Sequence, residues 1–301
     1  MKRKALLVIL GLVSVLMAVQ LVLVLAHRKT QAELLVEVLT SSDAADAAWA
    51  FERLLELDFA SLEDLLPHLR NEETSALRAM SWSDRGSSGF TSSTKDYAVW
   101  QVVRFVLWRR LSSEFGRDLH SLSDIHDSSP VLVGQYRAAF REALMTHADQ
   151  ARPFWRKWLD PVRVTPPSGD PRTASLAGEG VLTFLKCADR CGAAWAVARL
   201  KTLPDEELRK LLPLASSPDP IPLVQFFWGS QGGGSGQGQL SLDGTVGKLV
   251  RCLIAERVGA IGSVDNADLT SAEAPPALLE KLSQDLNARL AQARPATRTQ
   301  N

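Results

Sequence analysis

An uncharged apolar run, residues 5–26, constrains this chain more than any other feature. At about 1.5 Å of rise per residue, a helix of this length measures roughly 33 Å and crosses a bilayer core of about 30 Å. Three basic residues precede the run, and two follow it before residue 30. We therefore expect residues 1–29 to form a single-pass membrane anchor, with the lipid bilayer as the partner of residues 5–26.

A cleavable signal is the competing interpretation of this segment. The basic start is present, and Val24-Leu25-Ala26 resembles a cleavage site. The apolar run, however, exceeds the roughly 7–15 residues of a signal peptide, which favours an uncleaved anchor. Because more positive charge precedes the run than follows it, we predict a cytoplasmic N-terminus, with the remaining chain on the outer or periplasmic side. The opposite orientation stays open, since the cysteine content is low.

The charge distribution argues against nucleic acid as a partner. The net charge is zero, but residues 1–29 contain five bases and no acid. The remaining chain therefore has 29 Lys and Arg against 34 Asp and Glu, or about −5, which gives no electrostatic reason to bind nucleic acid. The hydrophobic content of 46% is typical of a folded protein.

Apolar residues recur at helical spacing over most of the chain after residue 30. This pattern predicts a mostly α fold, with an N-terminal transmembrane helix followed by an α-helical soluble domain. The predicted helices cover residues 30–40, 44–57, 61–70, 76–80, 97–111, 131–147, 174–200, 205–212, 246–258 and 274–290. Asp43 and Ser61 are the expected N-caps of two of them. Residues 221–228 are predicted as a short strand or buried segment, and residues 81–93 and 229–239 as loops.

The densest proline cluster gives the predicted domain division. Residues 161–172 contain four prolines and no periodicity, so we predict a linker there. This places a first helical region at residues 30–160 and a second at 173–290. Residues 291–301 are predicted to be a polar tail.

Two consecutive segments carry a resemblance to a known family. Residues 47–57 read AAWAFERLLEL, and residues 61–70 read SLEDLLPHLR. An alanine- and leucine-rich helix followed by a short turn and a Leu-Leu-Pro helix resembles the HEAT-like α-helical repeats, over about residues 43–80. No clean second copy stands at a period of about 40 residues, whereas a solenoid needs several copies. A single helical hairpin within a globular domain fits the pattern equally well.

The glycine-rich stretch does not match a known catalytic loop. Gly247-Lys248 is followed by Leu249, whereas a phosphate-binding loop needs Ser or Thr there. Ser235 lacks the second glycine of a nucleophile elbow, because Gln237 stands in that position. We therefore interpret the stretch as a flexible loop.

One polar segment contains a group of possible metal ligands. His120 and His126 are six residues apart, which is not the spacing that places two ligands on one helix face. The other members of the group are Asp118, Asp124 and Asp127. Such residues also occur in polar loops for turn formation alone. The pattern does not identify a metal site.

The three cysteines are Cys187, Cys191 and Cys252. They are too few for a disulfide-stapled scaffold, and we expect them to act as small buried hydrophobic residues. A disulfide between Cys252 and one of the other two is an alternative. A zinc site would need further ligands, which are not near the pair.

These observations favour a membrane-anchored, non-catalytic helical protein that binds another protein at the membrane or in the cell envelope. The sequence predicts no catalytic, cofactor-binding or metal-ligating residue and no cofactor. The alternative is a membrane-anchored hydrolase or metal-dependent enzyme that uses the His120/His126 region.

Overall fold

The computed structural model describes Ser14, Leu16, Met17 and most residues between 29 and 293. The described ranges after residue 28 are 29–84, 87–92, 95–115, 129–146, 164–222, 224–228, 238–242, 244–261 and 263–293. Among these residues, no helix is both long and apolar enough to cross a bilayer. The predicted anchor, residues 5–26, lies outside the described residues except for Ser14, Leu16 and Met17, which are helical.

The first part of the chain contains helices and one β-hairpin. Its elements are α1 (Gln31–Leu39), α2 (Ala44–Glu56), a 3-10 helix (Phe59–Arg70), β1 (Ala79–Asp84), β2 (Ser87–Ser92), α3 (Val99–Phe115) and α4 (Pro130–Thr146).

The second part repeats this arrangement. Its elements are a 3-10 turn (Pro167–Gly169), α5 (Pro171–Ala174), α6 (Glu179–Leu185), α7 (Arg190–Lys201), α8 (Asp205–Lys210), a 3-10 helix (Leu212–Ser216), β3 (Val224–Trp228), β4 (Gly238–Leu242), α9 (Val246–Arg257), α10 (Asn266–Thr270) and α11 (Pro276–Ala293). The prediction of a mostly helical fold is confirmed.

Local sequence explains where the first helices begin. Thr30 and Glu33 form a capping box at the start of α1, and the Asp43 carboxylate accepts from the Ala45 N–H at 2.8 Å, as predicted. The next cap is Asp58 rather than Ser61. Its carboxylate accepts from the Ser61 N–H at 2.9 Å, so the helix begins earlier than predicted.

Three further sequence predictions need correction. Residues 79–84 and 87–92 form paired antiparallel strands rather than a helical turn and a loop, because cross-strand pairing stabilises a sequence that is rich in Ser and Gly. Gly238 and Gln239 belong to β4, while residues 229–237 of the predicted loop lie outside the described chain. The last helix continues to Ala293, three residues into the predicted tail. Residues 221–228 were predicted as a short strand or buried segment, and Val224–Trp228 of this range form the strand β3.

The chain contains two copies of one structural module, 146 positions apart. Residues 47–50 and 193–196 both read AAWA, and residues 65–67 and 211–213 both read LLP. Further identical pairs are Asp43/Asp189, Arg53/Arg199, Leu54/Leu200, Leu57/Leu203, Leu62/Leu208 and Trp82/Trp228. Between Trp82/Trp228 and the next helix the second module is one residue longer, so the spacing is 147 in α3 and α9, where Val99/Val246, Arg104/Arg251 and Arg110/Arg257 match.

Backbone hydrogen bonds repeat in the two modules. The Val99 N–H donates to the Glu73 carbonyl at 2.8 Å, and the Val246 N–H donates to that of Asp219 at 2.9 Å. In the same way, isolated bridges pair Thr74 with Ala98 and Pro220 with Thr245. Since these matched bonds join matched positions, the two modules share one fold as well as one sequence pattern.

The modules pack on each other mainly through α2 and α7. Arg53 of α2 pairs with Asp189, the N-cap of α7, at 2.8 Å, while Arg199 of α7 lies 3.9 Å from Asp43, the N-cap of α2. Such reciprocal contacts define an isologous interface, as in a two-fold dimer. One hydrophobic cluster extends through both predicted helical regions. The proposed boundaries of those regions, and the HEAT-like resemblance, stay predictions.

Candidate functional site

Partly buried arginines stabilise helix ends in both modules. Arg110 donates to the Leu55 and Leu57 carbonyls at 2.8 and 2.5 Å, at the end of α2. Arg257 donates to the matching carbonyls of Lys201 and Leu203 at 2.6 and 2.7 Å, at the end of α7. These carbonyls lack partners within their own helices, so each guanidinium completes a helix end. This pair of arginines therefore has a structural role.

A second pair of matched arginines lies deeper in the core. Arg104 and Arg251 are each 1% exposed. Arg251 donates to the carbonyls of Ala215, Leu269 and Ser271 at 2.6–2.9 Å. Arg104 lies over the Trp100 ring, 4.4 Å from its centroid. Guanidinium groups can remain charged in such sites because carbonyl dipoles and ring faces replace water.

Asp46 is the most connected buried acid. Its carboxylate accepts from the Ser168 hydroxyl and, at 3.2 Å, from the Trp195 indole N–H. Burial raises the pKa of Asp46, partly opposed by these hydrogen bonds. The position that matches Asp46 in the second module is Gly192, so this contact occurs once.

Two partly buried acids are paired with bases. Glu52 lies 2.8 Å from Arg190, and Glu256 lies 3.2 Å from Lys201. Burial raises the pKa of both carboxyl groups and lowers the pKa of Lys201, while each pairing opposes the effect of burial. These groups hold helices together and do not converge on one cavity.

The ends of α9 and α11 form an open cleft. It is lined in part by Ser263, Asp285, Arg289 and Gln292. Arg289 also pairs with Asp205 at 2.8 Å, and Asp205 accepts from Arg257 at 2.6 Å. These hydrogen bonds lower the pKa of Asp205 although burial opposes them. Arg289 is thus already paired with a carboxylate outside the cleft, and the residues that line the cleft show no evident ligand preference.

The sequence-predicted polar group is not placed by the structure. His120, His126, Asp118, Asp124 and Asp127 lie outside the described residues. In the part of the chain that is described, no three His, Cys, Asp or Glu residues are arranged to hold a metal ion.

The cysteines are only partly as predicted. Cys191 and Cys252 are buried, but Cys187 is exposed, and all three are free thiols. The proposed disulfide to Cys252 is therefore not formed. Burial raises the pKa of both buried thiols, that of Cys252 to about 12, so neither is a reactive thiolate at neutral pH.

The two hairpins are the feature that both modules present outside their helical cores. Each is a two-stranded antiparallel sheet, and within the described ranges neither has a third strand. β1 lies against α3, and β3 lies against α7 and α9, whereas β2 and β4 have no comparable contact with a described helix. β2 and β4 are therefore the outer strands.

The pairing of the strands has the same register in both hairpins. Trp82 pairs with Gly89 in the first hairpin, and Trp228 pairs with Gly238 in the second. Phe90 and Gln239 therefore stand at matched positions of β2 and β4.

Outer strands with few charges are unusual, because an unpaired strand edge promotes association with other chains. Proteins normally protect such edges with lysine, proline, a bulge or a covering element. β2 and β4 contain no charged residue and no proline. These edges can accept an extended segment of another chain through backbone hydrogen bonds.

Sequence reasoning missed both the hairpin at residues 79–92 and the duplication. The repeated AAWA and LLP segments were the available signal, at a spacing of 146 rather than about 40 residues. No family model, curated protein or solved structure matches this chain.

Proposed function

We propose that this protein is a membrane-anchored, non-catalytic binding protein that holds a protein partner at the membrane or in the cell envelope. The partner would bind as an extended segment added to the outer strands β2 and β4. The observation that carries this proposal is the pair of uncharged outer strands at matched positions of the two modules.

Backbone chemistry supports strand addition. An outer strand carries a row of N–H and C=O groups that point away from its own hairpin. A partner strand satisfies these groups without requiring a particular side-chain pocket, and alternate side chains supply specificity. The strands span five or six residues, which is a common strand length in globular proteins.

The anchor supports a location close to the bilayer. Leu16 and Met17 are helical, with 58% and 63% of their surface exposed, as apolar residues of a lipid-facing helix would be. Only residues 27–30 separate the predicted span from α1. Four extended residues reach at most about 14 Å, so the binding module would lie near the membrane surface.

The first prediction tests strand addition with lysine substitutions on the outer strands. Phe90→Lys and Gln239→Lys together place a charge on each edge, the device by which natural proteins prevent edge pairing. The tagged full chain should recover its partner from native membranes, whereas the double variant should recover at least about 30-fold less, the scale of one interface hot spot. Recovery is measured by quantitative mass spectrometry after mild crosslinking.

Val131→Lys and Met145→Lys together provide the matched control, because Val131 and Met145 are 70% and 81% exposed on α4 and the variant gains the same two charges. This variant should recover as much partner as the natural chain. Unchanged recovery by the double variant, with its circular dichroism and thermal unfolding also unchanged, would show that the hairpins are not the binding elements.

A further inference from the structure

We draw no further inference here: the strongest candidate, the side-chain cluster of Asp46, Ser168 and Trp195 at the contact between α2 and α7, shows no sign of a role beyond holding the modules together except the raised pKa of one buried carboxyl group, which alone carries no switch or site.

Discussion

At the scale of single residues, Asp46 is a position at which the two modules differ in sequence. It also lies at the contact between them. Its carboxylate binds Trp195 of α7 and Ser168 of the segment that precedes α5. It therefore joins three parts of the chain that are distant in sequence. Burial disfavours its charged form, and the folded protein holds its proton more tightly than the unfolded chain does.

Replacing Asp46 with Asn should remove this titration while retaining an oxygen acceptor for both donors. Because the folded-state pKa is raised above the ordinary value of 3.8, the folded protein binds more protons than the unfolded chain between the two pKa values. The stability contributed by Asp46 is thus present below pH 3.8 and declines as the pH rises through the folded-state pKa. Asp46→Asn has no carboxyl group at this position. Its free energy of unfolding should therefore not include this dependence on pH.

Urea unfolding of both proteins, repeated between about pH 4 and pH 7, measures the difference directly. Glu52 and Glu256 are partly buried acids, but they contribute equally to both proteins and cancel. The natural chain should lose stability relative to Asp46→Asn as the pH rises. A difference that stays constant, or that changes in the opposite direction, would contradict the assigned environment of Asp46.

At the scale of elements, Arg110 and Arg257 fasten α3 to the end of α2 and α9 to the end of α7. Each guanidinium contacts two carbonyls at matched positions. The equivalence of these contacts is the most detailed evidence that the two modules share one fold. It also predicts that replacing either arginine destabilises the protein, although Arg257 additionally donates to Asp205 at 2.6 Å.

We expect Arg110→Met and Arg257→Met each to lower the free energy of unfolding by about 1.5–3 kcal/mol, the usual value of a hydrogen bond to a charged group. Methionine retains much of the apolar stem but leaves the carbonyls without this donor. Arg137→Met on the exposed face of α4 is the control and should stay within about 0.5 kcal/mol. If only one of the Arg110→Met and Arg257→Met substitutions is destabilising, the structural equivalence is wrong.

The helices were predictable because their apolar residues follow the 3.6-residue period, as in α2, α3 and α9. Leu107 is buried as its spacing indicates, whereas Trp100 is only half-buried, with the Arg104 guanidinium 4.4 Å from the centroid of its ring. The hairpin β1–β2 was not predictable from local sequence, since serine and glycine are typical of loops. Its strands depend on cross-strand pairing, which periodicity does not report. The outer strands of the candidate site are defined by the same cross-strand pairing. The sequence therefore did not predict them either.

At the scale of the whole molecule, the two modules form one folding unit through α2 and α7. Small residues allow these helices to approach closely: Ala47, Ala50 and Ala196 are completely buried. Ala50 is on the α2 face that meets α7, because Asp46 and Arg53, four residues before and three after it, both contact α7 or its N-cap. The proline-containing residues 167–174 fold into short helical segments beside this contact. Two equivalent edges can be held in a fixed relation only if this shared core is cooperative.

Native-state hydrogen exchange of Ala50→Leu tests that claim most directly. The larger side chain should overpack the α2–α7 contact and cost about 1–3 kcal/mol, whereas Ala138→Leu on the exposed face of α4 should cost almost nothing. In one cooperative unit, the opening free energies of amides in α3 and α9 should fall by the same amount in Ala50→Leu. Loss of protection in α3 alone, with α9 unchanged, would show that the modules fold independently and would contradict the account.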